Sequence, residues 1–309
     1  MATDPRPVVL YLAGIGRSGT TLIERTVAET AGVTALGEVM HLWDRGLVRG
    51  ELCGCGREFK ACPFWSAIGD KAFGGWDNVD PDRMAFLKGR VDRASRVPAI
   101  ATGHPRSLDR EVAEYVEHYE KLYRAAQELV GGVLVDSSKQ VSLAWCLSRS
   151  DAIDLRVVHC VRDSRGVVSS WSRDITRPEA VSAEHELMPK YSPVAISALW
   201  MLHNLEIEAL GRRVPLARLR YEDFVRAPEE GTRKVLDLAG VVDASTDHIH
   251  GRSVHLSEAH SCSGNPMRFK QGEIALVPDE RWRRELSPAR RRAVNAFTAP
   301  LLRRYGYGF

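Results

Sequence analysis

Short, nearly continuous apolar runs alternate along this chain with longer segments whose apolar positions recur every three or four residues. VVLYLAG, Val8 to Gly14, is such a run, and it reads as a strand buried on both faces. A glycine-rich turn follows, and then TLIERTVAET predicts a helix opening at Ser18 to Thr21. GVTALGEVMHLWDRG carries a second short strand and a turn. Residues 51–80, rich in Gly, Cys, Pro and Asp, read as irregular. SLDREVAEYVEHYEKLYRAAQELVGG is a helix with Ser107 or Asp109 as its cap, and Gly131–Gly132 end it. Tyr115, Tyr119 and Tyr123 recur at helical spacing and read as core. VLVD, Val133 to Asp136, is another buried strand, and SSK is expected to open the next helix. DLRVVHCVRD is a third strong strand, followed by the helix SRGVVSSWSRD and the long helix SPVAISALWMLHNLEIEALGRR. VPLARLRYEDF is a further strand with its exit, and the terminal helix starts with Ser287 as cap and Pro288 at its first position. Strands alternating with helices predict a three-layer α/β fold around a central parallel sheet. Without linker or repeat, residues 1–309 read as a single domain with an irregular, cysteine-containing insertion near 51–80.

Composition narrows the class. Of 309 residues, 44% are hydrophobic and 27% charged, an ordinary globular balance. The net charge of +3 does not by itself argue for nucleic acid, and none is expected as a partner. No segment approaches the eighteen apolar residues of a transmembrane helix. The N-terminus lacks the pattern of a signal peptide, and 8 Lys against 35 Arg suggests a GC-rich bacterial genome, so a cytoplasmic protein is expected.

Cys53, Cys55 and Cys62 cluster in ELCGCGREFKACPFW. Three thiolates at this spacing suit a metal, but no fourth ligand is obvious and the paired C-x-x-C zinc signature is absent. The sequence therefore assigns no metal and leaves a local disulfide or free thiols in a structured loop. Cys146 and Cys160 sit in apolar runs and read as small core residues.

The polar residues that interrupt the pattern gather at predicted C-terminal strand ends, where open α/β sheets bind ligands. GIGRSGTT, Gly14 to Thr21, has the glycine spacing and terminal Thr21 of a nucleotide-triphosphate loop, but Thr20 stands where the lysine belongs. Backbone N–H groups, a helix N-terminus and the Arg17 guanidinium still favour an anion there. The missing lysine argues against kinase or NTPase chemistry, which must neutralise β and γ phosphates. A sulfuryl group carries less charge and needs less neutralisation. In RVVHCVRDSRGVVSSW, a strand delivers Arg162, and Ser170 follows eight residues later, a little over two helical turns. Arg165 faces the same ligand or pairs with Asp163.

GRSGTTLI and VRDSRGVVSSW resemble the two signature motifs of the sulfotransferases that use 3′-phosphoadenosine 5′-phosphosulfate (PAPS). The resemblance implies that Arg17, Ser18, Gly19, Thr20 and Thr21 bind the 5′-phosphosulfate, and that Arg162 and Ser170 bind the 3′-phosphate. It also implies a P-loop-like sulfotransferase fold, with PAPS as donor and no metal. RYEDF is similar to the family segment whose tyrosine, here Tyr221, lies near the nucleotide. DSSK, ending in Lys139, falls where many members carry a polar segment with a lysine. GNPMRFKQG resembles a C-terminal loop of a bacterial subgroup, and Arg268 and Lys270 are expected to add contacts to the nucleotide.

The departure is the catalytic base, since the Lys-Thr pair followed by His of many cytosolic members is absent. LGEVMHLW matches the position where other members carry a glutamate, so Glu38 is the expected base, with Arg17 and Lys139 stabilising charge. His41 and His104 are the alternatives. Two rival readings stay open: an atypical kinase using Asp136 or Asp163 for Mg²⁺, and a non-catalytic nucleotide- or glycan-binding module. The acceptor is expected to be a hydroxyl, less readily an amine, of a small molecule, lipid or carbohydrate. Its pocket is expected from segments 40–105 and 174–195, with Trp43, Phe59, Phe64, Trp65, Phe73, Trp76 and His185 as aromatic surface. RWRRELSPARRR reads as a solvated helix face or a surface for an anionic partner, and a homo-oligomer is left open.

Overall fold

The computed structural model describes residues 6–173 and 192–308. Five strands form a parallel sheet: β1 (Val8–Ala13), β2 (Val33–Gly37), β3 (Val133–Lys139), β4 (Asp154–Val161) and β5 (Leu216–Arg220). Their order is β2-β3-β1-β4-β5, so β1 is central and every crossover carries at least one helix. The crossovers hold α1 (Thr20–Val27), α2 (Pro63–Phe73), α3 (Pro81–Val91), α4 (Val97–Thr102), α5 (Arg106–Val130), α6 (Val141–Leu147), α7 (Ser164–Trp171) and α8 (Pro193–Leu210). After β5 come α9 (Tyr221–Arg226), α10 (Pro228–Ala239), a small antiparallel sheet of β6 (Ile249–His250), β7 (Ser253–Leu256) and β8 (Gly272–Ala275), then α11 (Trp282–Glu285) and α12 (Pro288–Arg304).

The alternation of β1 explains its unbroken apolar run. Val9, Tyr11 and Ala13 enter one core with α2–α6, while Leu10 and Leu12 enter a second with α1, α9, α10 and the small sheet. This is the predicted α/β fold, a central parallel sheet with helices on both faces. Tyr115, Tyr119 and Tyr123 are fully buried in the first core, as their spacing predicts.

Three local expectations fail. Residues 51–80 are not irregular throughout: α2 starts at Pro63 in its first turn and ends at Gly74, whose φ of 70° suits a C-cap. The Pro and Gly that suggested loop are here the helix's own punctuation. SSK does not open a helix but completes β3, because its side chains find partners along the strand: Ser137 Oγ donates to Glu24 at 2.6 Å, and Ser138 Oγ accepts from Met40 N at 3.0 Å. Neither Ser107 nor Asp109 caps α5, which begins at Arg106 after Pro105; Asp109 instead accepts from Arg149 at 2.7 Å.

Candidate functional site

All five strand ends open toward one cavity of about 1080 Å³. Its first wall is the loop between β1 and α1, with Gly14, Ile15, Gly16, Arg17, Gly19, Thr20 and Thr21 lining it. Arg17 has φ 74° and Gly19 φ 83°, so the chain turns through two left-handed residues before α1 begins. The N–H groups of Thr20 and Thr21, at the helix start, have no acceptor within the helix. Ser18 Oγ and Thr20 Oγ1 are buried without a hydrogen-bond partner among the described residues. Buried, unsatisfied donors beside a helix N-terminus fit an anion. The loop is pressed tightly by its surroundings: a Cβ on Gly19 would stand 2.4 Å from the Tyr221 ring, and one on Gly16 2.7 Å from Trp171. Trp171 Nε1 also donates to the Gly16 carbonyl at 3.0 Å, and the Arg17 guanidinium lies 5.3 Å from the Trp171 ring centroid. Burial, with Arg173 nearby, pushes the Arg17 guanidinium below its usual range.

Across the cavity, β2 and β3 deliver Glu38 and Lys139. The register of β1 on β3 slips between Tyr11 and Ala13, and Lys139 there takes φ 67°. Its ammonium donates to Glu38 Oε1, and both side chains are largely buried. His41 Nε2 lies 3.7 Å from Glu38 Oε2. The Glu38 backbone is pinned from the far side, where its N–H donates to the Cys262 carbonyl at 2.6 Å. Glu24 was not singled out from the sequence. It is fully buried, accepting from Gly37 N at 2.7 Å and from Ser137 Oγ at 2.6 Å, and so ties α1 to the ends of both strands. Burial raises its carboxyl to about 7. A glutamate inside an amphipathic helix gives no sequence signal for such a role.

The third wall carries Arg162, Ser170 and Tyr221, all lining the cavity. Arg162 donates to the Arg17 carbonyl at 2.7 Å and stacks 4.6 Å from the Tyr221 ring centroid, so the two motifs meet directly. Its other amine donates to Asp279 Oδ2 at 3.0 Å. Arg173, at 3.4 Å, and Arg281, at 2.7 Å, converge on the same carboxylate. Hydrogen bonding from Arg281, with the charge of Arg162, holds that carboxyl well below the usual range. Arg173, Asp279 and Arg281 were not identified as site residues; only the basic run starting at Arg281 gave any hint. Arg165 takes the other option: its guanidinium pairs with Asp163 at 2.7 Å, in the interior, and packs on Trp282.

Several expected residues lie elsewhere. Arg268 is 1% exposed and donates to the carbonyls of Ser261 at 2.9 Å and Leu52 at 2.7 Å, so its charge holds two loops together and does not line the cavity. Lys270 is exposed outside the cavity, and so is His104. Trp43, Phe59, Trp65 and Trp76 are core: Phe59 stacks on Trp65 with centroids 4.9 Å apart. Phe64 and Phe73 are half-buried against that core and line no part of the cavity. His185 and residues 174–191 lie outside the described residues. The cavity wall beside Glu38 is instead polar and mostly cationic, with Asp44, Arg45, Arg49 and Lys88, faced by Ile196, Leu199 and His203.

No protein-family model and no curated protein matches the chain. Solved structures do resemble it. The sulfotransferase domain from the Synechococcus PCC 7002 olefin synthase is 20% identical with a TM-score of 0.55, over 99% of this chain and 97% of that one. The sulfotransferase domain from the curacin biosynthetic pathway is 14% identical with a TM-score of 0.52, over 99% of this chain and all of that one. At these identities the likeness establishes the fold, that of sulfotransferase domains.

Proposed function

We propose that this chain transfers a sulfuryl group from PAPS to an acceptor hydroxyl. The observation that carries the reading is the meeting of a lysine-free phosphate loop with Arg162 and Ser170 on one wall and the Glu38–Lys139 pair on the other. The donor supplies an activated sulfuryl group on a 5′-phosphate, with a 3′-phosphate as a second anionic handle. Loop N–H groups and the hydroxyls of Ser18, Thr20 and Thr21 bind the first anion; the unsatisfied hydroxyls of Ser18 and Thr20 fit it. Arg162 and Ser170 bind the 3′-phosphate, with Tyr221 against the nucleotide, and Arg173 and Arg281 add charge there. Glu38 takes the proton of the attacking hydroxyl while the new O–S bond forms and the bond from sulfur to the phosphate oxygen breaks. Arg17 and Lys139 stabilise the negative charge left on that oxygen. His41 orients Glu38 or relays its proton.

Calorimetry with 3′-phosphoadenosine 5′-phosphate against 5′-AMP and ATP–Mg²⁺ tests the donor side. Selective binding of the bisphosphate is expected. Preference for ATP–Mg²⁺ would return the reading to a kinase, and no binding of any of the three would overturn it. Acceptor-dependent release of bisphosphate from PAPS then separates an enzyme from a binding module.

A further inference from the structure

Behind the cavity wall, the three clustered cysteines meet a residue far away in sequence. The ligand atoms of Cys53, Cys55, Cys62 and His260 all lie within 4.8 Å of one another. Cys55 Sγ stands 3.7 Å from Cys62 Sγ, and Cys62 Sγ stands 3.3 Å from His260 Nδ1. A disulfide would need about 2.05 Å, and all six cysteines are free thiols. The edges of a tetrahedron with Zn–S of about 2.3 Å and Zn–N of about 2.0 Å are roughly 3.5–3.8 Å. The Cys55–Cys62 separation of 3.7 Å falls on such an edge, the Cys62–His260 separation of 3.3 Å is slightly shorter, and the group as a whole, within 4.8 Å, closes around one ion with a small contraction.

We infer that Cys53, Cys55, Cys62 and His260 form a structural Zn²⁺ site. Three thiolates and one imidazole satisfy a tetrahedral ion completely and leave no open position, which is the structural rather than the catalytic pattern. None of the four lines the cavity. The backbone is built for the approach. Gly54 N donates to the Ser261 carbonyl at 3.0 Å, and a Cβ on Gly54 would strike the Ala259 carbonyl at 2.4 Å. Gly56 turns the chain at φ 80°, with its N–H on the Cys53 carbonyl at 2.8 Å. The His260 ring is held by Phe64, stacked at 5.3 Å and 12°. Zinc binding releases the thiol protons to solvent and replaces them with one divalent charge.

The site explains why loops around 53–62 and 259–265 stay together. Cys262, two residues past His260, brackets the end of β2: its N–H donates to Leu36 O at 2.7 Å, and its carbonyl accepts from Glu38 N. Zinc would thus fix the segment that positions Glu38.

The test is metal analysis of the full chain, expressed with zinc and purified under reducing conditions without chelator. One zinc per chain is expected, and Co²⁺ substitution should give thiolate-to-cobalt charge transfer. Half-exposed Cys55→Ser and His260→Ala should lose most of the metal, while His260→Cys should retain it. Chelation should lower Tm by several degrees, on the scale of one structural ligand. A reduced chain that holds no zinc and takes up no Co²⁺, a Cys55–Cys62 disulfide in the peptide map, or full metal content in the Cys55→Ser and His260→Ala variants would each overturn the site.

Discussion

Lys139 donates its ammonium hydrogen bond to Glu38 Oε1 although 101 positions separate the two residues. The contact exists because β2 and β3 are neighbours in the sheet and both end at the same cavity. Lys139 holds this geometry from a left-handed backbone position, φ 67°, which costs a non-glycine residue roughly 1–2 kcal/mol. Strain of this kind persists where surrounding structure fixes it, and it gathers at functional sites. The pair gives the proposed base a fixed orientation and places a cation beside it.

If Glu38 is the proton acceptor, Glu38→Gln keeps the Lys139 contact through its amide oxygen and removes the basic site. Turnover should fall by roughly 10²–10⁴-fold, the usual worth of general-base catalysis. Affinity for 3′-phosphoadenosine 5′-phosphate should change by less than about threefold, a fraction of the 1.4 kcal/mol that a tenfold change represents. Steady-state rates beside a calorimetric titration separate the two effects. Unchanged turnover would pass the role to His41.

Asp279 neutralises part of the arginine cluster at the proposed 3′-phosphate site, being shared by Arg162, Arg173 and Arg281. An incoming dianion has to compete with that carboxylate. Asp279→Asn should therefore raise affinity for the bisphosphate on the order of tenfold, or about 1.4 kcal/mol, and steepen its salt dependence. Arg162→Ala should lower the affinity on a similar or larger scale, since charged hydrogen bonds are worth about 1.5–3 kcal/mol. Weaker binding by the Asn variant would mean that Asp279 positions the arginines instead of competing for them.

Much of the fold was legible, because buried parallel strands write themselves as unbroken apolar runs. Val8–Ala13 is the clear case; Asp154–Val161 keeps the pattern only in part, because Asp154, Arg156 and His159 interrupt it. Motif residues that leave such strands, Arg17, Glu38, Lys139 and Arg162, do converge on one cavity. The burial of Arg268 away from the cavity was not legible, because a basic side chain in a polar loop carries no mark of burial; its position depends on the carbonyls of Leu52 and Ser261. His260 and Asp279 were invisible for a related reason. Their partners lie on segments far away in sequence, and nothing in local pattern encodes that approach. Within 53–62 the three thiols were evident, but a tetrahedral site needed a ligand from residue 260.

Gly19 should be irreplaceable for two separable reasons. Its φ of 83° penalises any side chain, and its Cβ would collide with the Tyr221 ring at 2.4 Å. Gly32 shares the first property, at φ 78°, but has nothing within 4 Å of the added Cβ. Gly32→Ala should then cost only the conformational penalty, roughly 1–2 kcal/mol. Gly19→Ala should cost more and should also reduce bisphosphate affinity by more than tenfold, beyond about 1.4 kcal/mol, because Tyr221 and Arg162 must shift together. Thermal melts and titrations of both variants measure the difference. Equal effects would remove the Tyr221 contact from the argument.

Glu24 links the site to pH. Its folded-state pKa of about 7 lies above the unfolded value near 4.3. The folded chain therefore keeps a proton that the unfolded chain releases between those values. The associated stability is complete below about pH 4.3 and is lost as pH rises through about 7. Glu24→Gln mimics the protonated side chain and keeps an acceptor for Gly37 N, so it lacks this loss. Relative to the parent, the variant should gain roughly 2 kcal/mol of stability between pH 5.5 and 8.5, as the two pKa values dictate. Denaturant unfolding at the two pH values measures the gain. A gap that stays constant would mean that the Gly37 and Ser137 hydrogen bonds keep Glu24 ionised throughout. In that case α1 would be tied to the strands of Glu38 and Lys139 by a buried carboxylate, whose charge would act directly on Lys139.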